Sequence, residues 1–192
     1  MGIAECYSQV IMKLFFVLVV LICMMKVLFL DFDGVLNTED YQKKLREEGE
    51  KQYDEYGQIF DPTAINNLKY VLEAIPDVRL VINSSWKLEG FDRINELWRA
   101  RKLPGILYGV TPDYVPDLSK YDLSNDNNIE MLACKGYEVK QWLNENAPNG
   151  CRYVIFDDVP DFLPEQVPFL ICTDPSKGIT KEDSTRAIRI LS

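Results

Sequence analysis

From Lys26 onwards, short apolar runs alternate with amphipathic stretches. Val27–Leu30 is a continuous apolar run of strand length. Between Thr63 and Ala74, Ile65, Leu68, Val71 and Leu72 recur at helical spacing and lead on to Ile75. Asp61-Pro62 provides a start signal, and Pro76-Asp77 ends the pattern. Arg79–Asn83 predicts the next strand. Phe91–Arg101 predicts a helix that turns Ile94, Leu97 and Trp98 inward, and Gly105–Tyr108 a short strand. Gly136–Asn146 predicts a helix carrying Val139, Trp142 and Leu143. Tyr153–Phe156 and Phe169–Cys172 predict two more buried strands, and Lys181–Leu191 a closing helix with Ala187, Ile188 and Leu191 inward. Strands alternating with helices imply an α/β fold, with a parallel sheet and helices on both faces. Two stretches lack this pattern. Asn37–Phe60 holds the charge run Lys43-Lys44-Leu45-Arg46-Glu47-Glu48 and reads as a solvated helix or flap. Val110–Asn128, rich in Asp, Asn, Pro and Ser, reads as a long loop.

In such sheets ligands bind beyond the carboxyl ends of the strands, and polar residues collect there. The first strand ends in Asp31-Phe32-Asp33-Gly34, the second in Ser84-Ser85, and the Tyr153 strand in Asp157-Asp158. Like charges gathered this closely are costly unless a cation neutralises them or one is protonated. A site of Asp31, Asp33, Asp157 and Asp158, all oxygen donors, favours Mg2+. Asp31 could then attack phosphorus as a covalent nucleophile, with Asp33 as general acid and base. Ser84 could donate to a phosphoryl oxygen, with Ser85 as the alternative if the register shifts by one. Lys135, just before the Gly136 helix, is the lysine expected to balance phosphoryl charge, and Lys87 is the reserve. Trp86, Trp98 and Trp142 read as packing residues.

Composition narrows the chemistry further. The chain of 192 residues suits one domain with a full core. It has no histidine, which removes His-based triads, zinc sites and general bases. A net charge of −9 argues against a large non-specific nucleic-acid surface. The five cysteines form no C-x-x-C pair and are odd in number, which implies a reducing compartment without a disulfide framework. Cys151 and Cys172 read as small buried hydrophobes. Lys13 precedes an unbroken apolar run from Leu14 to Met25, shorter than the roughly 20 residues of a membrane span. Residues 1–24 therefore read as a mis-assigned start before Met25 or as a membrane anchor through residues 14–25. The matching localisations are cytoplasmic or membrane-anchored, with residues 25–192 as the folded domain.

The strand and acids Val27-Leu28-Phe29-Leu30-Asp31-Phe32-Asp33-Gly34 resemble the first motif of the haloacid dehalogenase (HAD) superfamily. Arg79–Ser84 resembles its second motif, Lys135 the third-motif lysine and Tyr153–Asp158 the fourth, in matching order. The resemblance implies a HAD-type Rossmannoid sheet with a small flap and no large cap. It makes Asp31 the nucleophile of a phosphatase and Asp33 the acid/base. Asn83-Ser84-Ser85-Trp86-Lys87 and Lys135–Leu143 are similar to a HAD branch of RNA-repair (Swiss Army Knife) proteins, which commonly has Arg where Lys87 stands. The implied substrate is a phosphorylated small molecule or a nucleic-acid end. Two rival readings are a phosphotransferase and an idle HAD scaffold that binds a partner or nucleotide.

Overall fold

Residues 24–115 and 135–192 are described by the computed structural model of the chain. Its centre is β1 (Lys26–Leu30), flanked on both sides by other strands and therefore apolar on both faces. The chain next forms α1 (Glu39–Glu47), the small antiparallel hairpin β2 (Tyr53–Asp54) and β3 (Gly57–Gln58), and α2 (Pro62–Ala74). β4 (Val78–Ile82), α3 (Phe91–Ala100) and β5 (Leu107–Val110) follow. After α4 (Lys135–Asn146) come β6 (Arg152–Asp157), β7 (Leu170–Cys172) and α5 (Lys181–Leu191). The sheet runs β5-β4-β1-β6-β7, with every paired neighbour parallel. From β1 the chain builds outward to β4 and β5, then returns across β1 to build β6 and β7. That reversal opens a crevice at the carboxyl ends of β1 and β6, where open α/β sheets bind ligands.

Side-chain parity divides the core in two. Leu28, Leu30, Leu80, Ile82, Val154 and Phe156 face α2, α3 and α5, which contribute Leu68, Val71, Ile94, Leu97, Ala187 and Leu191. The intervening residues Val27, Phe29, Val81 and Ile155 face α4 through Val139 and Trp142. Helices therefore cover both faces, as the alternation implies. Local chemistry sets the helix starts. Asp61 caps α2 by accepting from the Thr63 N–H, with Pro62 in the first turn, and Thr180 with Asp183 forms a capping box on α5.

Several expectations are revised. The short third strand begins at Leu107, two residues later than its pattern suggests, because Gly105 turns with φ 77°. The stretch 37–60 is both a helix and a flap, since α1 is followed by the β2–β3 hairpin. Val110 closes β5 instead of opening the loop. Residues 111–115 are irregular, and the rest of that predicted loop lies outside the described residues. Cys172 is exposed at the end of edge strand β7 and so is not a core residue, whereas Cys151 is half-buried and packs against the edge of the second core cluster. Both thiols are free. No large cap stands over the sheet among the described residues. No helix there is long and apolar enough to cross a membrane, and the apolar run up to Cys23 lies outside them.

Candidate active site

The parallel ladder continues one residue past β1, where the Asp31 N–H donates to the Phe156 carbonyl at 3.0 Å. Asp31 therefore leaves the sheet in a fixed direction and is 4 % exposed. One of its carboxylate oxygens accepts from the Phe32 N–H at 2.7 Å, and the other accepts from Lys135 Nζ at 2.6 Å. Beyond it the chain turns sharply. The Phe32 carbonyl accepts from the N–H groups of Val35, Leu36 and Asn37. Gly34 lies in the left-handed region at φ 65°, and a Cβ there would collide with the Asp158 carboxylate. Glycine is thus required both by the turn and by the approach of an acid from another strand. Thr173 secures the same turn by donating its hydroxyl to the Gly34 carbonyl at 2.9 Å.

β6 delivers Asp157, fully buried, and Asp158, half-buried. Asp157 accepts from Lys135 Nζ at 2.8 Å and from the Val159 N–H at 3.1 Å. Lys135, the first residue of α4, thus bridges Asp31 and Asp157. Ligand oxygens of Asp31, Asp157 and Asp158 all lie within 4.8 Å of one another. Burial first, and the Asp31 charge second, push the Asp157 carboxyl up to about 7, although Lys135 opposes the rise. The same two causes raise Asp158. Burial works against the Lys135 ammonium, but Asp31 and Asp157 outweigh it and raise its pKa. One ammonium therefore does not neutralise the cluster. An oxygen-only donor set with surplus negative charge fits a hard divalent cation such as Mg2+.

Asp33 is arranged differently. It is exposed, and its side chain lies outside that three-acid group. One oxygen accepts from Asn37 Nδ2 at 2.7 Å and the other from Trp86 Nε1 at 3.0 Å. Asn37 Nδ2 also donates to Gln58 Oε1 of the hairpin at 2.9 Å. Among the serines, Ser84 is buried two residues past the end of β4 and Ser85 is exposed. Lys87 is buried, with its ammonium 2.6 Å from Glu138 and 3.2 Å from Asp113.

The family described as the HAD domain in Swiss Army Knife RNA repair proteins matches residues 27–184. The chain belongs to this family. No curated protein and no solved structure matches it. The matched span of the HAD domain runs from β1 into α5 and so includes every acid of the cluster, Asp33 and Lys135. Membership supports a hydrolase or phosphotransferase of the HAD superfamily, with a phosphatase-like function. Within this HAD domain, sequence reasoning passed over Asn37 and treated Trp86 as packing alone. Trp86 does pack, with its ring centroid 5.4 Å from Phe32 and 5.7 Å from Phe60, and its indole N–H reaches Asp33 as well. Its place immediately after the serines of a strand end was the available signal.

Proposed function

We propose that the chain is a magnesium-dependent phosphomonoesterase that forms an aspartyl-phosphate on Asp31. The observation that carries this reading is the setting of the Asp31 carboxylate. It is buried, lies 2.6 Å from the Lys135 ammonium, is grouped with Asp157 and Asp158, and stands two residues before an acid held by its own donors. Asp31 would attack phosphorus as the ester P–O bond breaks, while Asp33 protonates the departing alkoxide. Asp33 would then deprotonate a water that attacks the acyl phosphate, releasing phosphate and restoring Asp31. Lys135 would balance the charge of the transferring phosphoryl group, and the Ser84 hydroxyl would donate to one of its oxygens. Asp31, Asp157 and Asp158 would hold Mg2+, which when bound reduces repulsion between the carboxylates and the incoming phosphate.

The leaving group has room. A cavity of about 630 Å³ opens beside Asp33, Gly34 and Asp158 and follows one face of α1, with Glu39 and Asp40 near its start and Lys43 and Arg46 further along. A phosphorylated nucleotide or nucleic-acid end suits this arrangement, since its second anionic group would meet Lys43 or Arg46. The deciding experiment is hydrolysis of p-nitrophenyl phosphate with Mg2+ and with EDTA, for the natural chain and for Asp31→Asn. Turnover should need Mg2+ and should fall at least about a thousandfold in the variant, because the covalent step is lost. Substantial activity in Asp31→Asn would overturn the mechanism. Phosphoester formed on an added acceptor alcohol would move the reading to a phosphotransferase.

A further inference from the structure

Lys87 stands three residues after Ser84, yet its ammonium is committed elsewhere. Its side chain is 6 % exposed, and Nζ lies 2.6 Å from Glu138 Oε2 and 3.2 Å from Asp113 Oδ1. It also donates to the Thr111 hydroxyl at 3.2 Å and to the Pro112 carbonyl at 3.1 Å. Thr111 in turn donates to Asn83 Oδ1 at 2.9 Å, which ties the group to the residue before Ser84.

Glu138 is one helical turn after Lys135 on α4. The intervening residues are also gripped from outside the helix. The Gly136 carbonyl accepts from buried Gln166 Nε2 at 2.8 Å, and a Cβ at Gly136 would come within 2.5 Å of Gln166 Oε1. Tyr137 stacks on Tyr114 with ring centroids 4.7 Å apart. Three consecutive residues of this turn are thus held by three separate contacts, and the fourth, Lys135, reaches Asp31 and Asp157. A fixed backbone lets a long, flexible lysine side chain hold one placement between two carboxylates, and small misplacements of a reacting group are costly.

We infer that Lys87 is a positioning residue, whose ion pair with Glu138 sets the first turn of α4 so that Lys135 reaches the Asp31 carboxylate. The geometry accounts for a buried cation beside a phosphatase-like site that does not itself touch the acid cluster. Its kinetic consequence rests on the phosphomonoesterase reading, so the test includes a readout that needs no turnover.

The experiment is a double-mutant cycle between Lys87 and Lys135, with p-nitrophenyl phosphate turnover and melting temperature measured on each variant. Alongside it, labelling of Lys135 by an amine-acylating reagent is followed by peptide mass spectrometry, with exposed Lys44 and Lys181 as internal standards. Lys87→Met should lower kcat about tenfold and leave KM within about twofold, and Lys87→Arg should recover most of the loss. In a Lys135→Ala background the kcat effect of Lys87→Met should vanish while its effect on melting temperature persists. Lys135 labelling should rise about fivefold in Lys87→Met without change at Lys44 or Lys181. If Lys87→Met does not fold, Glu138→Gln replaces it in the same cycle, since it keeps the side-chain shape and removes the charge. If the natural chain hydrolyses no phosphomonoester, the phosphatase reading fails and the labelling alone decides. Equal kcat losses in both backgrounds, or unchanged labelling of Lys135, would overturn the inference.

Discussion

In the proposed reaction Asp33 must keep its carboxylate aimed at the leaving group, and two donors from different segments hold it. Asn37 comes from the turn after β1, and Trp86 from the short helical turn after β4. Replacing Trp86 with Phe keeps a ring among Phe32 and Phe60 but removes the indole N–H. We expect kcat to fall about tenfold, the scale of weakened acid–base catalysis, with a much smaller change in melting temperature. A drop in melting temperature at unchanged kcat would reduce Trp86 to a packing residue.

The β2–β3 hairpin has too few backbone bonds to stand alone and depends on the helices beside it. Arg101, at the end of α3, makes a bidentate contact with Asp54 at 2.7 and 2.9 Å, and its guanidinium lies over the Phe60 ring at 4.4 Å. Burial tends to raise the Asp54 carboxyl, but hydrogen bonds from Arg101 and the Tyr56 N–H outweigh it and hold it below the usual carboxylate range. The sign follows from linkage. A depressed carboxyl contributes stability above its unfolded pKa of about 3.9, and that contribution is lost as pH falls through the lower folded value. Asp54→Asn should therefore be less stable than the natural chain at pH 6 in urea unfolding. The two curves should converge as the pH falls below about 4. A gap that persists at pH 3 would mean that Asp54 acts through shape rather than charge. Because Gln58 of the hairpin touches Asn37, loosening this flap should also reach Asp33.

Among the described residues, both core clusters draw their buried members from Val27 onwards, and the sheet, its helices and the acid cluster all follow Met24. A chain beginning at Met25 should therefore fold and retain the activity proposed above, as judged by its melting curve and turnover. Failure to fold would mean that the preceding apolar run packs on the domain. The net charge of −9 bears on substrates at the same scale, because it repels long polyanions at low salt while leaving a terminal phosphate accessible. Turnover of a mononucleotide 3′-phosphate and of a short 3′-phosphorylated oligonucleotide should be comparable, with weak dependence on strand length. A strong preference for sugar phosphates or phosphopeptides would defeat the nucleic-acid reading and leave the phosphomonoesterase proposal intact.

The α/β architecture and the acids Asp31, Asp157 and Asp158 were legible in the sequence because they depend on local rules. Apolar strand runs, helical periodicity, the Asp61-Pro62 start and the turn at Gly34 each lie within a few residues of chain, and in a parallel sheet strand ends converge at one edge. The place of Lys135 at the same edge could be anticipated too, since it begins the helix that precedes the β6 strand, but its bridge between Asp31 and Asp157 could not. What holds these groups in place was decided only by the tertiary structure. Trp86 reaches Asp33 from the end of β4, the hairpin residue Gln58 meets Asn37, Lys87 meets a glutamate 51 positions away, and the room needed by Asp158 explains Gly34. Exposure of Cys172 likewise depends on β7 being an edge strand. Local periodicity records which residues turn inward. It does not record which distant donor meets which acceptor, because that pairing is set by the packing of elements whose separation along the chain carries no signal in either segment.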